Sequence, residues 1–460
     1  MLRDHNLLTS RISATALGAV LVAASIGLAA CDPVVMHPVA SLACFALAFI
    51  AYALACLRML SDERHGRAWG LGILIAVAVC CRLLALPATP SDDVYRYLWE
   101  GRVLAAGHDP YRLAPDSQEL VQLSVSAPEH PWINHPDWPA IYMPFMQWWQ
   151  RLVVDIAPEV WALKISFLLA EVGLCAALLA LLSLCGLPAS RLLIYAWNPL
   201  AIYATANQGH HDVVAAALLL SALLLLMRRA STTAAAAFTC SVLAKGFTLA
   251  VFPAILASRF ALGTPKATTR QNLIRMAAMG LLVFTALCLP FLLPGTESGD
   301  ELAMFGSVER FGTQMHTNDS LHAIARSMLS PLGARIAMLA IWAIVALTVI
   351  RRRESNPLHG CALLLGTLLL ILPTVHPWYL VILMPFLCFF PWWGWILLSG
   401  TTALTWLPQL EIQRTGQWVE WPVIKVLEYA PLFAWLALVA WRRFYGSTDQ
   451  HGPNATTSRT

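Results

Sequence analysis

A polar segment that begins at the adjacent aspartates Asp92 and Asp93 interrupts an otherwise apolar chain of 460 residues. Carboxylates and histidines can transfer protons, and lysine or arginine side chains can hold anionic groups. Groups of these kinds recur in other short polar stretches, which have little reason to be so polar unless they line a site. The candidate residues are Asp92, Asp93, Arg96, Glu100, Arg102, Asn134, His135, His210, His211, Asp212, Lys245, His376, Trp378 and Tyr379.

Each candidate also has a structural explanation. Asp92 and Asp93 suit the first turn of a helix, Lys245 can extend to the membrane interface, and the histidine turn can simply be solvated. Adjacent histidines on a turn rarely converge on one ion, so we expect no metal site at His210 and His211. We predict no metal ligands and no cofactor.

The composition places the chain in a membrane. Hydrophobic residues make up 58% of it and charged residues only 12%, with a mean hydropathy of +0.64. Such a chain cannot cover its apolar surface in water, so lipid must be part of its solvent. The net charge is +4 and no long basic run exists, which argues against a nucleic-acid partner.

Apolar runs long enough to span a bilayer recur almost end to end. They lie at 12–31, 38–60, 69–87, 161–185, 191–206, 212–227, 276–294, 334–350, 358–375 and 425–441. Residues 233–258 carry Lys245 and Gly246 at their centre, and we interpret them as a tight hairpin of two short helices. With the shorter runs 378–390 and 393–408, the sequence predicts an all-α integral membrane protein with about 13–14 transmembrane helices.

The arginine and lysine residues cluster in alternate connections, which assigns those connections to the cytoplasm. The opposite connections are 88–160, 207–212, the Lys245 turn, 295–333, 376–377 and 409–424. We therefore predict a single polytopic domain, 1–460, with a first outer loop at 88–160 and a second at 295–333. The residues before Cys31 are similar to a lipoprotein cleavage box, but we expect an uncleaved first span because polytopic proteins rarely start with such a signal.

The first outer loop has the pattern of structured helices. Ser91 can cap a helix over 91–106, and the acidic residues that follow favour its first turn. Its apolar stripe and its charged groups predict an amphipathic helix at the membrane surface. A second surface helix is expected at 142–154. Glu171, within the fourth apolar run, must be paired or line a cavity.

The segment 91–115, SDDVYRYLWEGRVLAAGHDPYRLAP, resembles the bacterial GT-C superfamily of membrane glycosyltransferases that use polyprenyl-phosphate sugars. The similarity is to the mannosyltransferase-like members, including glycosyltransferase family 87. INHPDWPAIYMPFMQ at 133–147, NQGHHD at 207–212, Lys245 and HPWY at 376–379 are similar to later motifs in the same order. Asp109, Met143 and His211 depart from the common pattern, where Asn, Pro and Asn stand.

The resemblance implies a GT-C-type helical bundle in a bacterial inner membrane, with its site facing the periplasm. It implies transfer of a hexose, mannose by similarity, from a polyprenyl-phosphate donor to a glycan or glycolipid acceptor, with inversion at the anomeric carbon. Asp93 matches the catalytic base, with Asp92 as the alternative. Candidates for holding the donor phosphate are Lys245, Arg96, Arg102, His210 and His211. Trp378 and Tyr379 are candidates for stacking on a sugar or an isoprene unit.

Two other classes of function remain open from the sequence. A lipid-linked sugar flippase or another membrane transporter would carry charged groups deep within its spans and show internal repeats. An inactive relative with an assembly role is the third possibility, although the acidic and basic groups of the first loop argue against it.

Overall fold

The computed structural model describes residues 2–34, 36–66, 69–258, 266–293, 303–352, 356–416 and 419–445. Within these ranges the chain is helical without a β-strand, and a single β-bridge joins Thr317 to Thr374. This confirms the predicted all-α fold. Residues 295–302 of the second predicted outer loop lie outside the described ranges.

Helices of very different lengths follow one another along the chain. Helices α1 to α12 are Leu2–Ala30, Pro38–Arg64, Leu71–Ala85, Asp92–Ala105, Val121–Ser126, Pro144–Ile156, Val160–Leu184, Leu193–Ala196, Pro199–Ile202, Asp212–Met227, Ser231–Ala244 and Phe252–Ala257. Helices α13 to α21 are Lys266–Leu292, Ala303–Gln314, Leu321–Met328, Pro331–Arg352, Pro357–Ile371, Met384–Leu387, Trp393–Thr401, Pro408–Thr415 and Pro422–Tyr445.

Six of the described helices are long and apolar enough to cross a membrane. They contain the segments Ser13–Ala30, Pro38–Arg64, Val160–Leu184, Arg270–Leu292, Pro331–Arg352 and Pro422–Arg443. A seventh span results if Pro199–Asn207 and Asp212–Met227 are counted as one broken span, in which the chain bends by 116° between the two helices. The number is below the predicted 13–14 because other apolar runs form short or broken helices. The runs at 69–87, 233–258 and 358–375, for example, form helices of at most 15 residues.

The helix break at Lys245 follows the sequence prediction only in part. Helix α11 ends at Ala244, and Lys245 has an extended backbone before the 3-10 segment Gly246–Val251. Helix α11 packs against α10 and α13, whereas α12 packs against α16 and α17. The break is therefore present, but its two arms pack on different helices and do not form a tight hairpin.

The connections that the charge pattern assigned to opposite sides make contacts within their own sets. In the arginine-rich set, Arg191 pairs with Glu63 at 2.8 Å and donates to the carbonyl of Phe389 at 3.2 Å. In the other set, the backbone N–H of Ser91 donates to the carbonyl of Gln208 at 3.0 Å. The second set surrounds a large cavity.

Glu171 is paired inside the bundle, as its position in an apolar run required. Its carboxylate accepts two hydrogen bonds of 2.7 Å from Arg82 and one of 2.9 Å from the hydroxyl of Tyr195. A charge without such partners would be costly at this position. The pair therefore has a structural explanation and gives no support to a transport path.

Candidate active site

A cavity of about 960 Å³ lies between the first polar loop and the later connections. Its volume is at the upper end of the roughly 300–1,000 Å³ that small-molecule sites occupy. The predicted residues on its wall are Asp92, Asp93, Arg96, Asn134, His135, His211, Lys245, His376, Trp378 and Tyr379. Predicted residues from four separate connections thus meet at one place.

Helix α4 presents the two aspartates to the cavity. It begins at Asp92, and the Ser91 hydroxyl accepts a hydrogen bond of 3.4 Å from the Asp93 N–H. Gly101 lets the helix pack closely on α6, because a Cβ there would lie 2.9 Å from the carbonyl oxygen of Gln150. Close packing fixes the direction in which the helix start points.

Most of α4 is buried, which differs from the predicted amphipathic surface helix. Arg96 and Glu100 are only 2% and 1% exposed, and they pair with each other at 2.7 Å. Arg96 also donates to the backbone carbonyls of Asn134, His135 and Trp138. The charged face of the helix therefore holds the rest of the loop instead of facing water.

The two aspartates have different surroundings. Asp92 is exposed, and its carboxylate accepts from the Ser91 hydroxyl and from the Asp93 N–H at 3.1 and 3.0 Å. Asp93 is 20% exposed, and one oxygen accepts from the Asn134 amide at 2.9 Å and from the Tyr142 hydroxyl at 3.1 Å. Asp92 thus helps to cap the helix, whereas Asp93 is held against the cavity wall.

The pKa of Asp93 is raised to about 6, chiefly by burial and also by the negative charge of Asp92. The hydrogen bonds from Asn134 and Tyr142 and the charge of Lys245 oppose this increase. A carboxyl group with such a pKa is mostly ionised at neutral pH and is a stronger base than an ordinary aspartate.

The turn at 207–212 is pressed against the start of α4. Gly209 has a φ of +74°, and a Cβ there would lie 2.8 Å from Val94. Glycine is required because the turn needs both the left-handed backbone and the close approach. The turn places His210 Nδ1 3.5 Å from the second oxygen of Asp93.

His210 and His211 are both buried, and the ring nitrogens of His211 have no hydrogen-bond partner among the described residues. Burial, followed by the nearby charge of Lys245, lowers the pKa of both rings well below the usual value. They are therefore neutral at neutral pH, and each can donate from one ring nitrogen and accept at the other.

Lys245, the one lysine among the predicted site residues, lines the cavity. Its ammonium lies 3.0 Å from a carboxylate oxygen of buried Asp212, 4.4 Å from the Tyr379 ring centre and 5.5 Å from that of Phe247. The helix break at this residue aims the side chain into the bundle. The cation is thus fixed in place by a carboxylate and by aromatic faces.

The late HPWY stretch adds a stack of rings. Trp378 is nearly parallel to His210, with ring centres 3.7 Å apart, and to His376, with ring centres 4.5 Å apart. Burial, with a smaller contribution from Lys245, lowers the pKa of His376 to about 3. The stack joins the late loop to the histidine turn.

Four predicted residues do not line the cavity. His210 and Asp212 lie directly behind lining residues through their contacts with Asp93 and Lys245. Glu100 is buried against Arg96 and Gln147, and Arg102 pairs with Glu129. The last two stabilise the loop.

The sequence analysis did not select several lining residues. Tyr142 holds Asp93, and its only sequence signal was the partial match of the stretch at 133–147. Another part of the wall includes Glu420 and Lys425, which pair at 2.7 Å. Their selection needed the tertiary contacts between the second outer loop and α21.

A family model described as alpha-(1->6)-mannopyranosyltransferase, N-terminal domain, matches residues 8–261, which is more than half of the chain. The matched range contains Asp93, the histidine turn and Lys245, and it ends before the HPWY stretch. A comparison with curated proteins finds no match.

Proposed function

Since the chain belongs to the alpha-(1->6)-mannopyranosyltransferase family and is therefore a membrane glycosyltransferase, we propose that it transfers mannose from a polyprenyl-phosphate donor to an extracytoplasmic acceptor. The product is an α-linked mannoside, and the family description favours the 1→6 linkage. The donor, the side of the membrane and the catalytic residue are parts of this proposal.

The surroundings of Asp93 carry the assignment of the base. Three carboxylates line the described cavity: Asp92, Asp93 and Glu420. Asp92 is exposed and caps the helix, and Glu420 pairs with Lys425. Asp93 is half-buried and fixed by two neutral donors, and its pKa is raised. It is thus the carboxylate best suited to accept a proton from an acceptor hydroxyl.

The reaction is a single displacement. The acceptor oxygen attacks the anomeric carbon of a β-linked donor from the face opposite the phosphate, while its proton passes to Asp93. The bond between the anomeric carbon and the phosphate oxygen breaks, and polyprenyl phosphate leaves with the electron pair. Inversion then converts the β-linked donor into an α-linked product.

The leaving phosphate gains negative charge as this bond breaks. Lys245 supplies a fixed cation, and the neutral rings of His211 and His376 supply N–H donors on the same wall. Preorganised groups of this kind are effective because they need no rearrangement during the reaction. Arg96 is a less suitable phosphate ligand, since the loop already engages its guanidinium.

The arrangement of connections supports an outward-facing site. The cavity is built from the connections that the charge pattern assigns to the side opposite the arginine-rich ones, and the arginine-rich connections make contacts elsewhere. By the positive-inside rule, the cavity faces away from the cytoplasm. In a bacterium with two membranes, the proposed reaction then takes place at the periplasmic face of the inner membrane.

The decisive experiment compares Asp93→Asn with Asp92→Asn. Each variant is purified and supplied with polyprenyl-phosphate [¹⁴C]mannose and membranes that contain the endogenous acceptor. We expect Asp93→Asn to lower the transfer rate by roughly 10²–10⁴-fold, because the base is lost. Asp92→Asn is the matched control and should retain most activity. An unchanged melting temperature would show that both variants are folded.

Four results would count against the proposal. Full activity of Asp93→Asn would exclude that residue as the base, and loss of activity only in Asp92→Asn would move the role to its neighbour. Transfer from nucleotide-linked mannose but not from the lipid-linked donor would exclude the donor class. Movement of labelled lipid across a vesicle membrane without formation of a mannoside would favour a flippase.

A further inference from the structure

A second cluster of ionisable side chains lies beside the cavity wall, in the polar connection between α14 and α15 and at the start of α15. His316, Asp319 and His322 offer nitrogen and oxygen atoms that all lie within 4.8 Å of one another. The rings of His316 and His322 are nearly parallel, with centres 5.6 Å apart. No residue of this cluster has a role in the proposed transfer reaction.

The cluster contains both a fixed part and an adjustable part. Asp319 and His322 are buried, and His322 Nδ1 lies 3.2 Å from an Asp319 carboxylate oxygen. His316 is exposed at the open side of the cluster. Four-coordinate ligands at about 2.1 Å from zinc are roughly 3.4 Å apart. A modest rotation of the exposed His316 side chain could therefore bring the third ligand into position.

The surroundings of Asp319 resemble those of a metal-binding carboxylate. Its other oxygen accepts a hydrogen bond of 2.9 Å from Lys425, which also pairs with Glu420 at 2.7 Å. Carboxylates that bind metals are commonly held by an outer hydrogen bond of this kind.

We propose that His316, Asp319 and His322 bind one divalent transition-metal ion, with zinc as the best-fitting ion. Two histidines and one carboxylate are a common ligand set for zinc, and the exposed side leaves a position for water. This site is distinct from the histidine turn at the catalytic wall, and the inference does not depend on the proposed reaction.

The site would stabilise one wall of the cavity. Thr317 and Asn318 lie between the ligands in sequence and line the cavity. Asn318 has a φ of +53°, and its amide donates to buried Glu428 at 2.7 Å. A bound ion would fix both ends of this strained segment and connect it to α21 through Lys425.

The test uses the full-length protein in detergent, stripped with a chelator and then titrated with Zn²⁺ alone. The wild type should bind one equivalent, and its melting temperature should rise with Zn²⁺. His322→Ala and Asp319→Asn should each weaken binding by about a hundredfold or more, beyond the 10–100-fold typical of outer-shell changes. His316→Gln changes an exposed side chain, so it tests the third ligand of the site without risk to folding. Zn²⁺ binding by this variant should fall at least about tenfold. The exposed His65→Ala variant is the control and should bind as the wild type does.

Two outcomes would overturn the inference. One is Zn²⁺ binding that survives His316→Gln, with an unchanged affinity and the same rise in melting temperature. The other is binding that is lost in His210→Ala but retained in the cluster variants, since this would locate the ion at the catalytic wall.

Discussion

The hydroxyl of Tyr142 offers the most direct test of how the protein tunes Asp93. The substitution Tyr142→Phe removes the 3.1 Å hydrogen bond to the carboxylate and leaves the ring in place. The hydrogen bond that the Tyr111 hydroxyl makes to the backbone carbonyl of residue 142 is not affected. The variant therefore changes one donor with little disturbance of packing.

The sign of the effect follows from the charge that the hydrogen bond stabilises. The Tyr142 hydroxyl favours the ionised form of Asp93 and so lowers its pKa; its loss must raise the pKa above about 6. A hydrogen bond to a charged group contributes about 1.5–3 kcal/mol. Water in the open cavity can replace part of it, so the lower figure applies. At about 1.36 kcal/mol per unit, the pKa should rise by about one unit.

The assay is the pH dependence of kcat/KM for transfer from the lipid-linked donor. In the wild type we expect activity to rise with pH through an ionisation near 6, because the base must be deprotonated. In Tyr142→Phe this limb should move to about pH 7, while the rate on the alkaline plateau changes less. The control is Tyr95→Phe, which removes a hydroxyl on α4, the helix that carries Asp93, at a residue outside the cavity lining. A limb that stays in place, or that moves equally in the control, would refute the reasoning.

Two further predictions concern the lysine of the cavity and the glycine of the histidine turn. Lys245→Met removes the fixed cation, and we expect kcat/KM to fall by about 10²–10³-fold with a higher KM for the donor. An unchanged KM for the donor in steady-state assays would contradict the phosphate-binding role of Lys245. Gly209→Ala should lower both the melting temperature and the activity. Its control is Gly186→Ala, because Gly186 has a similar φ of +68° but no neighbour within 4 Å of an added Cβ. The control should show only the cost of backbone strain, about 1–2 kcal/mol. Equal losses in the two glycine variants would mean that the close approach of the histidine turn is unimportant.

Local signals in the sequence were sufficient for several features. The composition determined the membrane environment, and the Ser91 cap determined where α4 begins, since a cap acts on the residues next to it. The Lys245-Gly246 interruption located a helix break, and the position of Glu171 in an apolar run required a partner. The composition is a property of the whole chain, and in the other cases the physical cause lies within a few residues or within one helix, so all of them can be read without the fold.

The tertiary structure decided what these elements do together. It gave Asp93 different surroundings from Asp92 by placing the Asn134 amide and the Tyr142 hydroxyl beside Asp93. It turned Glu100 away from the cavity, although a charged residue on an amphipathic helix had been expected at the surface. Such contacts join residues more than 40 positions apart, so they depend on how helices and loops pack. The sequence therefore determined the membrane fold and the kinds of groups available, whereas packing determined which of the cavity's carboxylates is held by Asn134 and Tyr142.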